Sequence, residues 1–138
     1  MKKIEIKKII SVLNTLCREL FYTFEKEDEL IPEDERKGFM DSANCFIIIP
    51  KTKLVYETML NLIDLETYKP EPAPQLDFQV EEGEEIRSKY STFYLQIMLK
   101  MCEFYDSVTI KMKRDYPICF ETEDFQLILA PRASDEED

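Results

Sequence analysis

Three prolines at alternate positions, Pro70, Pro72 and Pro74, constrain this chain more than any other feature. A proline inside a helix lacks the N–H that the ladder needs, and its ring clashes with the preceding turn. The stretch "LETYKPEPAPQ" is therefore not helical and reads as an extended, stiff connector. It divides the 138 residues into a first part (1–63), a connector-like stretch (64–75), a second part (76–131) and an acidic tail (132–138). A chain of this length is expected to form one domain with one sizeable core.

The first part opens with "IKKIISVLNTLCREL". Its apolar residues Ile6, Ile9, Ile10, Leu13, Leu16, Cys17 and Leu20 follow the spacing of an amphipathic helix. Lys2, Lys3, Lys7, Lys8 and Arg18 against Glu5 alone give residues 1–18 a basic bias. "LFYTFEKE" alternates and is aromatic-rich, so it reads as a strand. "DELIPEDERKG" reads as a polar loop and "NCFIIIPK" as a strand. "KLVYETMLNLID" is ambiguous. Tyr56, Thr58, Leu60 and Leu62 fit one face of a strand, Met59, Leu60 and Ile63 fit a helix, and the alternation favours a strand.

The second part starts with "LDFQVEE", a strand by alternation, and a turn at Gly83. "STFYLQIMLKMCEF" follows as a helix, "SVTIKMK" as a strictly alternating strand, "RDY" as a turn, and "PICFE" and "FQLILAP" as the last strands. The expected order is thus strand–helix–strand–strand–strand on both sides of the connector. Short turns between consecutive strands imply antiparallel pairing. The expected class is α+β, with the helices on one side of the sheet.

Composition narrows the function. There is no histidine and there are only two glycines. His general bases, Ser-His or Cys-His pairs, Gly-rich phosphate loops and His-containing zinc sites are excluded. A carboxylate-only active site is compatible with this composition, but carboxylate pairs occur by chance among 29 acidic residues and carry little information. No enzyme activity, cofactor or metal is expected. The four cysteines are dispersed, no leader segment is recognisable, and the longest apolar run is too short for a bilayer. A cytosolic or nuclear protein with reduced thiols is expected, without a membrane partner. The net charge of -11 opposes simple coating of nucleic acid.

"YLQIMLKMCEFYDSVTIKMKRDYPICFE", followed by "LILAPR" and acids, resembles the end of the eukaryotic and archaeal sliding clamps, the proliferating-cell-nuclear-antigen (PCNA) family. Tyr94, Leu95, Lys100, Ser107 through Ile110, Met112, Asp115, Pro117, Glu121 and Leu129 through Arg132 fall on that pattern. "VYETMLNLIDLETYKPEPAP" is similar to the clamp strand that runs into the interdomain connector. Two arrangements fit: the second halves of two successive clamp domains joined, or a single last domain with an expanded middle. The chain departs from the family in length, in its short "ETEDF" turn, and in Ser11 and Phe93, which stand where inner helices often carry cations.

The resemblance implies a DNA-clamp fold of two βαβββ-like halves, with an antiparallel sheet and two helices on one face. It implies a processivity factor that holds duplex DNA without reading sequence, through Lys7, Lys8, Arg18, Lys89 and Lys100. A hydrophobic pocket for partner peptides would involve Ile63, Asp64, Leu65, Pro117, Ile128, Ala130, Pro131 and Arg132. Ile128 would face the ligand, and the backbone groups of Ala130 and Arg132 would be free to pair with it. Partners would be DNA polymerase, a clamp loader and other proteins with clamp-binding motifs. The chain would supply one sixth of a ring, hence a homo- or hetero-oligomer, in the nucleus or in the cytoplasm of an archaeal or virus-infected cell. The alternative is an acidic clamp-derived adaptor that no longer encircles DNA.

Overall fold

The computed structural model describes residues 29–41 and 45–132, together with Ser11, Thr15 and Arg18, which are helical. After one 3-10 turn at Glu33–Glu35, the elements are β1 (Lys37–Met40), β2 (Phe46–Pro50), α1 (Lys53–Leu62), β3 (Pro70–Pro72), α2 (Thr92–Cys102), β4 (Thr109–Lys111), β5 (Ile118–Glu121) and β6 (Phe125–Leu129). The strands form one sheet in the order β3-β1-β2-β6-β5-β4, antiparallel throughout. The protein is α+β, as its pattern implies.

The two strongest apolar segments, "FIIIP" and "FQLIL", pair at the sheet's centre, from Phe46 opposite Leu129 to Pro50 opposite Phe125. Side chains on a strand alternate between faces. Phe46, Ile48, Phe125, Leu127 and Leu129 therefore point one way, with Phe39, Ile118 and Phe120. Val55 and Met59 of α1 and Tyr94, Ile97, Met98 and Met101 of α2 complete this core, so both helices lie on the same face. Truncating one of its sealed aromatic residues, such as Phe39, to Ala costs about 3–5 kcal/mol. The opposite face buries a smaller set, Ile49, Cys119 and Ile128.

Residues 53–62 form helix α1 where alternation favours a strand. Thr52 caps it, its hydroxyl accepting from the Val55 N–H at 3.3 Å, and the buried Val55, Met59 and Ile63 recur every four residues. The β-propensity of Val55, Tyr56 and Thr58 yields to this tertiary demand. Strand β1 lies partly within the expected polar loop, where Gly38 masks its signal. "LDFQVEE" enters no ladder, and α2 is preceded by irregular chain and the expected turn at Gly83, whose φ is 84°. The repeated element order is therefore not found among the described residues. Helix α2 followed by β4, β5 and β6 does match the expected second part. The expected strand "LFYTFEKE" lies outside the described residues, as does most of the expected N-terminal helix.

The alternate prolines acquire a structural meaning. β3 pairs with β1, with Glu71 opposite Gly38, and the Ala73 N–H donates to the Arg36 carbonyl at 3.0 Å. Successive N–H groups of a strand point to opposite sides. Glu71 and Ala73 therefore face β1, while Pro70, Pro72 and Pro74 occupy the positions whose N–H would point away from it. The stretch read as a connector is an edge strand with no donors on its outward side, one way of blocking strand addition.

Candidate functional site

Ile128 lies on the face of β6 that alternation assigns to a ligand, yet it is 5% exposed. It packs with Ile49 and Cys119, and half-buried Ala73, Leu76 and Phe78 lie over them. The chain's own residues 73–78 thus form a strap across this face, which corrects the expectation of an open pocket. The free backbone expected at the last strand's end is corrected too. The Ala130 N–H donates to the Cys45 carbonyl at 3.0 Å and the Arg132 N–H to the Lys89 carbonyl at 2.7 Å.

The remaining pocket candidates do not converge on Ile128. Ile63 is buried in the helix-side core, on the other face of the sheet. Asp64 organises the turn after α1, accepting from the Glu66 N–H at 3.0 Å, and Leu65 is exposed. Pro117 and Pro131 are half-buried at the margins of β5 and β6, and Arg132 is exposed. Alternation finds which way Ile128 points but not what lies upon it.

The strap is held at its ends. Ala73 bonds to Arg36, as above, and the Asp77 N–H donates to the Tyr116 hydroxyl at 2.7 Å. Phe78 meets the Tyr116 ring edge-on with centroids 5.3 Å apart, and Lys113 Nζ stands 5.2 Å from that ring's centroid. A cavity of about 100 Å³ lies against the strap, reaching Arg36, Lys111, Cys119 and Ile128. Burial pushes the Cys119 thiol up to about 11, so it is protonated at neutral pH.

A wider cleft of about 700 Å³ opens beside β4 and the β5–β6 turn, lined by Lys51, Phe104, Tyr105, Ser107, Lys111 and Glu121 among others. Glu121 accepts from Lys51 Nζ at 2.9 Å and pairs with Lys111 Nζ at 3.2 Å. Burial alone would raise the Glu121 carboxyl, but the two ammonium groups outweigh it and hold it below its ordinary value. Lys51 also donates to the Thr122 carbonyl at 2.8 Å, and the Tyr105 hydroxyl to Asp124 at 2.7 Å. These charges and hydroxyls hold the hairpin to the turn after α2 and compensate one another.

A third polar group, missed in the sequence, ties α2 to the chain between β1 and β2. The Tyr94 hydroxyl donates to the buried Asp41 carboxylate, which also accepts from the Cys45 N–H at 3.3 Å and faces the Cys45 thiol at 3.5 Å. Burial first, and then the Asp41 carboxylate, raise the Tyr94 hydroxyl far above its ordinary value. Burial also raises the Cys45 thiol, the reverse of what activates a nucleophile. The available signal was Tyr94 itself, because a tyrosine on an otherwise apolar helix stripe needs a partner for its hydroxyl.

Of the basic candidates, Arg18, Lys89 and Lys100 are exposed, while Lys7 and Lys8 lie outside the described residues. The outward stripe of α2 is not strongly cationic. It carries Phe93, 45% exposed, and Leu99, 54% exposed, with Gln96 and Lys100. Among the described residues no cluster of three or more Cys, Asp or Glu is placed to hold a metal ion, and no helix is long and apolar enough to cross a membrane. Comparison with protein-family models, curated proteins and solved structures finds no match.

Proposed function

We propose that this chain is a sliding-clamp-derived interaction adaptor, a non-enzymatic protein that captures short linear segments of replication and repair proteins, DNA polymerase among them. The observation that carries the reading is the unit from Thr92 to Leu129, one helix packed on a three-stranded antiparallel meander. This is the order the clamp resemblance implies for a half-domain, and it holds the residues that carry the resemblance, Tyr94 through Glu121 and Leu129. Capture would use the sheet face opposite the helices, around Ile128, once residues 73–78 that cover it move aside, with a few apolar anchors supplying most of the affinity.

A clamp that encircles duplex DNA is the second reading, favoured by the exposed Lys89, Lys100 and Arg18. A sliding surface works by neutralising phosphates, each contact adding about 0.9 to the slope of log affinity against log salt. The apolar residues on the outward stripe of α2 weigh against it. The test titrates a fluorescent clamp-binding peptide and a labelled duplex separately against the full chain at several salt concentrations. The adaptor reading expects saturable, weakly salt-dependent peptide binding and no duplex binding above background. Duplex binding with a steep salt slope, reduced by Lys89→Glu and Lys100→Glu, would favour the duplex-holding reading instead. Failure of both ligands would remove both readings.

A further inference from the structure

We propose that the strap of residues 73–78 is a displaceable, built-in occupant of the outer sheet face, and that its site takes an extended partner segment presenting two apolar side chains as Leu76 and Phe78 do. The proposal rests on the capture reading above and adds that capture is gated by the chain itself.

Three observations carry it. First, the outer face is a small apolar surface of its own. Ile49, Cys119 and Ile128 are buried there, and Ala73, Leu76 and Phe78 cover them from one continuous segment. The alternation that makes "LDFQV" look like a strand arises because Leu76 and Phe78 turn toward the sheet face, while Asp77 and Gln79 are exposed. The face therefore already receives a Leu-x-Phe segment. Second, the strap's backbone is sparsely held. Pro74 has no N–H, and among the described residues two backbone N–H bonds hold the ends, from Ala73 to Arg36 and from Asp77 to Tyr116. The cavity of about 100 Å³ against it shows that it does not fill the surface it crosses.

Third, the strap can leave without dismantling the main core. Tyr68, 2% exposed, fixes the chain before β3 in the helix-side core. Beyond Phe78, residues 79–91 contain no helix or strand, are mostly exposed, and give slack before α2. None of Ala73, Leu76 and Phe78 belongs to the helix-side cluster. An incoming segment with the same apolar spacing would exchange equivalent contacts, so displacement needs only a modest advantage in affinity or local concentration.

Cys119 lies under the strap and Cys102 lies in the helix-side core, which makes an internal comparison possible. Burial pushes both thiols up to about 11, so each is protonated at neutral pH and sheltered until its cover opens. In the static structure Cys119 is the more sealed, at 1% exposed against 8% for Cys102. The full chain is alkylated with iodoacetamide under native conditions, and the modified peptides are quantified by mass spectrometry. Strap opening predicts that Cys119 reacts at least about tenfold faster than Cys102, reversing the static order. Equal rates, or a slower Cys119, would show that the strap opens only with the whole fold and would overturn the proposal.

A second arm uses the peptide "PEPAPQLDFQV", residues 70–80 of this sequence, as the probe. Leu76→Ser with Phe78→Ser in the full chain should raise Cys119 alkylation without changing Cys102. The added peptide should then protect Cys119, and a peptide carrying the same two serines should not. No protection by either peptide in a folded variant overturns the proposed site, and if the variant does not fold, the wild-type rate ratio decides alone. A concentration-dependent wild-type dimer dispersed by the peptide would mean that the face is filled by a second copy's strap, which also overturns the proposal. Binding of the clamp-motif peptide with Cys119 no more reactive than Cys102 would sink the strap mechanism and leave the capture reading standing.

Discussion

Replacing Gly38 by Ala tests how closely β1 is packed against β2. A methyl group at Gly38 would stand 2.7 Å from Ile47 Cγ2 and 3.1 Å from Ile49 Cγ1. Ordinary carbon contacts are about 3.5–4.0 Å, so the first contact demands a shift of roughly 1 Å. Cγ2 cannot swing away easily, because it is bonded to a Cβ fixed by backbone pairing of Ile47 with Met40 on one side and Ile128 on the other. Overpacking of this kind costs about 1–3 kcal/mol. Against it, Gly38 is not in the left-handed region, so alanine gains about 0.4–1 kcal/mol by restricting the unfolded chain. The net expectation is a loss of about 1–2 kcal/mol.

With a urea dependence of about 1–3 kcal/mol/M, that loss lowers the urea midpoint by roughly 0.5–1 M. The decisive measurement is a double-mutant cycle with Ile47→Ala, which removes the clashing methyl. On that background Gly38→Ala should be neutral or slightly stabilising, so the two changes should be strongly non-additive. If Gly38→Ala is neutral in the wild-type background, or the two changes add, the strands do not approach as closely as described.

Two further predictions concern the helix and the charged hairpin. Thr52→Ala removes the cap of α1 and should cost about 0.5–2 kcal/mol in urea denaturation, whereas no measurable loss would contradict helix 53–62. Glu121 has a carboxyl pKa lowered by Lys51 and Lys111, so its contribution is present above the ordinary carboxylate range and lost as pH falls through the lowered value. The stability gap between wild type and Glu121→Gln should therefore close below about pH 4, and a gap unchanged down to pH 2 would refute the pairing.

Much of the fold was legible because strong local patterns had no competitor. "FIIIP", "FQLIL" and "PICFE" are short apolar runs bounded by turn residues, and α2 buries Tyr94, Ile97, Met98, Met101 and Cys102 at helical spacing, so pattern and environment agree there. The α+β class and the order helix, strand, strand, strand after residue 91 follow from them. Helix α1 was not legible, since Val55, Tyr56 and Thr58 favour strands locally and only the core beneath Met59 and Ile63 selects a helix. Strand β1 was hidden by Gly38, whose missing side chain is what lets Ile47 and Ile49 approach.

For the candidate site the division is sharper. Alternation fixed that Ile128 faces away from Leu127 and Leu129, and Pro70, Pro72 and Pro74 fixed that their stretch is extended and donor-poor. Neither pattern contains the partner of an element. Only the tertiary structure decided that the prolines form an edge strand on β1, that residues 73–78 cover Ile128, and that Ala130 and Arg132 pair with Cys45 and Lys89. Alternation and proline chemistry act within a few residues and are written in the sequence directly. The covering of a face is a contact between segments some fifty residues apart, chosen by which arrangement buries the most apolar surface while leaving the fewest backbone groups unpaired.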